Sequence, residues 1–307
     1  MRIVFMGTPE FAIPSLNILL ENRYEIASVV TGPDRPAGRG QKVSQSPVKA
    51  FSAARGLQVL QPEKLKDPVF LEELAALGPQ LFVVVAYRIL PPEVLRIPAF
   101  GGFNLHASLL PRYRGAAPIQ WAIIRGERET GVTTFFLKEQ VDTGGIILQA
   151  RTTIAPEDTA GDLHDRLAAI GAELVLQTVR LIETGKAVPK RQDDALATTA
   201  PKLRKEDCKI DWSRSAGEVH NFIRGLSPKP CAYSFYGGKT LKMHRSKLTG
   251  EERGGSPGEI LRADSRLVVA AGSGSLSVEQ LQLEGKNILP AEKFLRGFAL
   301  RVGDRFS

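Results

Sequence analysis

Cysteine is scarce in these 307 residues: Cys208 and Cys231 are the only two, with no C-x-x-C spacing and no cluster of the four histidines beside them. That pattern argues against both a disulfide framework and a zinc site, and predicts free thiols of a reducing compartment, the cytoplasm. Long apolar runs are missing too. Leu81 to Ala86 is among the longest, far short of the ~20 residues that cross a bilayer, so no membrane span is expected. The N-terminus reaches Gly7, Pro9 and Glu10 before a signal-peptide core could form, which predicts no export. The first turn reads Met6-Gly7-Thr8-Pro9-Glu10-Phe11 and lacks the G-x-G-x-x-G that lets a pyrophosphate approach a helix N-terminus. A nicotinamide or flavin site is disfavoured on that ground. No Walker-type lysine motif occurs either, so ATP has no cradle.

What is present is ordinary globular material, 43% apolar and 24% charged, long enough for two domains. The net charge of +8 is unevenly spread: 22 Lys and Arg stand against 21 Asp and Glu in residues 1 to 200, but 19 against 12 beyond them. A basic last third fits a phosphate-rich partner as well as it fits a merely solvated surface.

Alternation of apolar runs with helical patterns predicts a Rossmann-like α/β domain over residues 1–185. Strands are expected at Arg2 to Met6, Ile26 to Val30, Val59 to Gln61, Leu81 to Ala86 and Gly102 to Leu105, with a strand pair at Gly131 to Leu137 and Ile146 to Thr153. The first helix is expected over Phe11 to Leu20 with Thr8 as its N-cap; further helices fall at Val48 to Arg55, Phe70 to Leu77, Pro118 to Ile124 and Ala160 to Glu183. Thr31 to Pro47, rich in Gly and Pro and without periodicity, reads as a long surface loop whose length points to function. Residues 186–206 read as an ordered linker. Beyond it, a short helix and five short apolar runs between Gly-rich turns predict a smaller OB-like β-barrel over 207–307.

The densest polar constellation runs from Phe103 to Gly115 (FNLHASLLPRYRG). A strand ending near His106 places Asn104 and His106 on one face by the period of two, at the carboxyl end where open α/β sheets bind ligands. Read alone, an Asn-x-His is a strand end whose side chains serve backbone groups. Asp142, before Thr143-Gly144-Gly145, is by itself a turn former. Together with His106 it becomes the partner of a histidine that exchanges protons.

Ser108-Leu109-Leu110-Pro111-Arg112-Tyr113-Arg114-Gly115, with Asn104 and His106 before it and Asp142 after it, resembles the signature of the folate-dependent formyltransferases. Met1 to Phe11, Pro33 to Gly40, Ala116 to Gln120 and Ile210 to Ser213 resemble the branch of that family whose acceptor is methionyl-tRNA. The resemblance spans essentially the whole chain. It implies transfer of a formyl group from 10-formyltetrahydrofolate, as co-substrate and without a metal, to the amino group of initiator methionyl-tRNA. In the family, the positions of Asn104, His106 and Asp142 are catalytic, and Ser108, Leu109, Leu110 and Pro111 line the folate pocket. One departure stands at Ala86-Tyr87-Arg88-Ile89-Leu90-Pro91, where the family has Gly after the Tyr and one more residue.

Formyl transfer needs donors for a developing oxyanion, which the Asn104 amide and the His106 imidazole supply, and a group to orient the histidine and help remove the amine's proton, which Asp142 supplies. Arg35, Arg39 and Lys42 on the Thr31 to Pro47 loop are the expected tRNA contacts, with the basic C-terminal domain adding diffuse attraction. A monomer is expected. Three other readings are a formyltransferase of a sugar nucleotide or another small amine, with little use for the basic loop and the basic last third; an RNA-binding module, which would not need Asn104, His106 and Asp142 together; and a dehydrogenase, which lacks its glycine fingerprint.

Overall fold

The computed structural model describes residues 1–37, 42–250 and 254–307. Two compact units are formed, one by Met1–Gly115, Thr130–Thr152 and His164–Thr199, the other by Ala116–Glu129, Thr153–Leu163 and Ala200–Ser307.

The first unit is built on a seven-stranded sheet. Its strands are β1 (Arg2–Gly7), β2 (Glu25–Val30), β5 (Val59–Leu60), β6 (Leu81–Val85), β7 (Gly102–His106), β8 (Glu129–Phe136) and β9 (Ile146–Thr153), in the order β5-β2-β1-β6-β7-β8-β9. β5, β2, β1, β6 and β7 are parallel neighbours, and β8 runs antiparallel to β7. The order reverses between β1 and β6, which is the Rossmann-like arrangement. All five residues of β6, Leu-Phe-Val-Val-Val, are buried; such a continuous apolar run is what a strand covered on both faces requires.

Helices α1 (Ile13–Glu21), α2 (Pro47–Ala53), α3 (Pro68–Ala76), α4 (Pro92–Leu95), α5 (Pro118–Ile124) and α6 (Ala160–Glu183) connect or follow these strands. Local chemistry starts two of them: the Ser46 hydroxyl accepts from Lys49 N and the Asp67 carboxylate from Val69 N, each with a proline in the first turn. Along α6 the apolar period delivers Leu167, Val175 and Val179 to the core. Gly171 lets that helix close on β7, since a Cβ there would stand 2.6 Å from Leu105 Cδ2.

Two expectations are corrected here. Thr8 does not cap the first helix. A 3-10 turn (Glu10–Ala12) precedes α1, and the Thr8 hydroxyl instead accepts from Gly32 N at 3.3 Å. Thr31 to Pro47 is not strand-free, because β3 (Arg35–Ala37) and β4 (Lys42–Ser44) pair antiparallel within it. Three-residue strands are too short for a period of two to register. The root of this ribbon is fixed by Asp34, whose carboxylate receives Lys49 Nζ at 2.5 Å and Gln61 Nε2 at 2.8 Å.

In the second unit, β10 (Ala232–Tyr236), β11 (Lys239–Leu248), β12 (Ile260–Ala263), β13 (Leu267–Ala270) and β14 (Ser275–Leu283) form an antiparallel sheet ordered β10-β11-β14-β13-β12, with β15 (Leu289–Pro290) beside β14. The terminal segment closes it: Ile260 N donates to Asp304 O, Phe306 N to Gly258 O, and Ser307 exchanges two backbone bonds with Phe235. The result is the small β-barrel that the turn spacing predicts. Helix α7 (Ala216–Leu226) begins at a capping box of Ser215 and Glu218, and α8 (Ala291–Gly297) adds Phe294 to the barrel core. Neither β15 nor α8 has a sequence signal long enough to read.

Both cysteines are buried and unpaired; burial pushes the Cys231 thiol up to about 12. Two barrel-unit histidines, His220 and His244, are also buried, and desolvation holds both below the ordinary imidazole value. The unfolded chain therefore binds protons more readily than the folded one. Stability is fully present above about pH 6.5 and is lost as pH falls through that value. The urea midpoint should drop between about pH 7.5 and about pH 5.5; a midpoint that holds constant would contradict the buried neutral rings.

Among the described residues no helix is long and apolar enough to cross a membrane, and no group of three His, Cys, Asp or Glu is placed to hold a metal.

Candidate active site

The site grows from the end of β7. Asn104 lies between Val84 of β6 and Phe135 of β8, and His106 is opposite Thr133. Two residues apart on one strand, they share a face. The Asn104 side chain is half-buried, and its amide has no hydrogen-bond partner among the described residues. Donors left unmatched at a strand's carboxyl end are available to a ligand.

His106 is held tightly. Its Nε2 lies 2.8 Å from the Tyr113 carbonyl oxygen, which can only accept, so Nε2 carries a proton. Nδ1 is then the nitrogen free to gain or lose one, and it faces Asp142 Oδ2 at 3.8 Å, both side chains nearly buried. The same carboxylate oxygen accepts from Gly115 N at 2.9 Å. Tyr113 and Asp142 both sit in the left-handed region, at φ 61° and 55°. These conformations, costly for residues with a Cβ, aim the Tyr113 carbonyl at the ring and the Asp142 carboxylate at its far side.

The 108–111 loop is fixed from beneath. Thr133 Oγ1 donates to Ser108 O at 2.6 Å and accepts from Leu110 N at 3.1 Å, while Gln149 Nε2 donates to Leu110 O at 2.9 Å. Ser108 is wholly buried and its hydroxyl donates to Arg112 O at 2.6 Å; Leu110 is buried as well. Of the four residues expected to line a folate pocket, only Leu109 and Pro111 present surface. Ser108 and Leu110 are buried, and their hydrogen bonds shape the loop. Beside the Asp142 turn, a cleft of about 470 Å³ is lined by Pro92, Leu95, Arg96, Lys138, Glu139, Gln140 and Thr143.

At the family's point of departure, Arg88 donates to the carbonyls of Pro62 and Glu63 and to the Tyr87 hydroxyl. Ala86, two residues before Arg88, takes φ 49°.

Of the expected tRNA contacts, Arg35 is exposed. Lys42 lies in β4, and Arg39 lies outside the described residues.

Sequence reasoning missed Gln192. Buried in the stretch read as a linker, its Nε2 donates to the carbonyls of Asp142 and Gly144, both at 2.8 Å. Its Oε1 accepts from Arg114 Nε and Nη2 at 3.1 and 2.7 Å, and Arg114 also pairs with Asp194. A lone Gln in a polar, aperiodic stretch carries no sequence signal.

Known proteins bear on this geometry. Residues 1–179 match the family described as Formyl transferase, and residues 202–299 the one described as Formyl transferase, C-terminal domain. Over 307 residues the chain is 49% identical to a methionyl-tRNA formyltransferase of Geobacter sulfurreducens, covering 99% of this chain and 96% of that protein. One from Caldanaerobacter subterraneus is 46% identical, covering 99% of each. Among solved structures, an N-formyltransferase from Helicobacter canadensis, in complex with folinic acid and dTDP-3-aminofucose, superposes with a TM-score of 0.69 at 22% identity, covering 90% of this chain and 98% of that one. A methionyl-tRNA formyltransferase from Clostridium thermocellum does so with a TM-score of 0.57 at 18% identity, covering 82% and 95%. At such identities these two show a shared fold.

Proposed function

This chain belongs to the formyl transferase family, and from that premise we propose that it moves a formyl group from 10-formyltetrahydrofolate to the amino group of methionyl-tRNA through Asn104, His106 and Asp142. The observation that carries the reading is the pairing of an unengaged Asn104 amide with a histidine whose one free nitrogen faces a carboxylate. The donor supplies a formyl carbon bonded to a nitrogen that leaves. As the amine attacks that carbon, negative charge develops on the formyl oxygen; the Asn104 amide donates to it there. His106 lies on the same strand face, and its Nδ1, beside the Asp142 carboxylate, exchanges a proton with the reacting groups. Asp142 holds His106 in orientation and takes the amine's proton, which passes by way of His106 to the folate nitrogen as the carbon–nitrogen bond of the donor breaks.

The domain roles follow: the first unit, which includes residues 186–199, catalyses, and the OB-like barrel of 207–307 binds tRNA through its excess of basic residues. Leu109 and Pro111 form the exposed part of the folate wall. Arg35, exposed on its ribbon, contacts the acceptor end of the tRNA. The chemistry needs one copy of the chain and no membrane, and charged tRNA places it in the cytoplasm.

A sugar-nucleotide acceptor is the rival reading. With 10-formyltetrahydrofolate limiting and both acceptors present, charged methionyl-tRNA should take nearly all of the formyl group, and Arg35→Ala should raise KM for the tRNA alone. Preferential formylation of a dTDP-amino sugar would overturn the proposal.

A further inference from the structure

The segment from Lys190 to Thr199 touches both halves of the catalytic constellation. Lys190 exchanges two backbone bonds with Ile146, just past the Asp142 turn, each 2.8 Å. Thr198 receives Tyr113 N on its hydroxyl at 2.9 Å and Arg114 N on its carbonyl at 2.8 Å. Between these ends, Gln192 is nine-tenths buried and joins the two sides by one side chain: its NH2 to the carbonyls of Asp142 and Gly144, its oxygen to Arg114.

We propose that Gln192 is a positioning residue that sets Asp142 against His106. The argument is one of directions. The Arg114 donors face the amide oxygen, so the amide cannot flip, and its NH2 must point at the Asp142 turn. Asp142 holds a left-handed conformation that persists only where the surroundings over-determine it. The bond from Gly115 N fixes Asp142 Oδ2, and Gln192 fixes the backbone that carries it. Arg114 lies between Tyr113, which holds His106 Nε2, and Gly115. One amide thus links the loop that orients the histidine to the turn that presents its carboxylate. A displacement of about 1 Å in such a constellation costs on the order of 10²-fold in rate.

The proposal rests on the catalytic reading of Asp142, and the test separates the two. Gln192→Met keeps the volume and removes every hydrogen bond; Gln192→Ala removes both. Each should lower kcat roughly 10- to 100-fold with KM for folate and for tRNA little changed, and Met should not rescue. In an Asp142→Asn background, adding Gln192→Met should lower kcat no more than about twofold, because two residues acting as a unit are not additive. Loss of activity in Asp142→Asn together with near wild-type kcat in Gln192→Met would overturn the positioning role alone. So would a loss on adding Gln192→Met that is as large in the Asp142→Asn background as in the wild type, since that is the mark of a general structural defect. Full activity in Asp142→Asn would remove the catalytic reading and this proposal with it. Should Gln192→Ala fail to fold, the Met variant and its double mutant still decide the matter.

Discussion

His106→Ala is expected to lower kcat by two or more orders of magnitude and also to lower the urea midpoint, since it leaves the buried Tyr113 carbonyl without its partner. General acid–base groups contribute about 10²- to 10⁴-fold, and this ring has one nitrogen tied to Tyr113 O and the other facing Asp142, with no second imidazole in the unit's catalytic loops to replace it. Asn104→Ala should cost about 10²- to 10³-fold, the value of one oxyanion donor, and less in stability, since the amide it loses has no partner among the described residues. The two variants should differ in kinetics as well. His106→Ala unties the Tyr113 carbonyl and so loosens the 113–115 loop, raising KM somewhat, whereas Asn104→Ala should act on kcat alone. Steady-state kinetics with each substrate varied in turn separates them. A His106 variant with near wild-type kcat would remove the residue from the mechanism.

The second large effect is on stability. Gly144→Ala should destabilise the protein by about 3 kcal/mol and abolish most of its activity. A Cβ at that position would stand 1.6 Å from Phe136 O and 2.8 Å from its carbonyl carbon, so the turn must lift from the end of β8. Overpacking of this kind costs about 1–3 kcal/mol or more, and the displacement reaches Asp142, which shares with Gly144 the Gln192 amide. Gly217, in the first turn of α7, is the control: nothing lies within 4 Å of a Cβ there, and Ala gains over Gly up to about the 0.5–1 kcal/mol of a helix interior. Urea titrations should therefore move in opposite directions for the two glycine variants. A Gly144→Ala protein with parental midpoint and activity would mean that the turn yields without consequence.

What could be read from the sequence divides by length of signal. β6 and α6 were legible because five consecutive apolar residues and a 24-residue apolar period leave few alternatives. The shared face of Asn104 and His106 follows from the strand period alone. By contrast, β3 and β4 are three residues each, and their pairing depends on long-range anchoring by Asp34, Lys49 and Gln61. Thr8 had the right chemistry for a cap, but a tertiary donor, Gly32 N, claimed it. Ser108 and Leu110 belong to the motif yet turn inward, because Thr133 and Gln149, distant in sequence, hold the loop from below. Gln192 could be found only once the chain was folded, since its function is to join segments 50 and 78 residues away.

Fate of the formyl carbon tests the central claim most directly. With 10-formyltetrahydrofolate labelled at that carbon and methionyl-tRNA as acceptor, the account predicts that the label appears in N-formylmethionine after the ester is hydrolysed, in proportion to enzyme, and that Asn104→Ala and His106→Ala suppress this transfer together. Label released as free formate by the wild-type protein, or left on the folate while methionine stays unmodified, would contradict it.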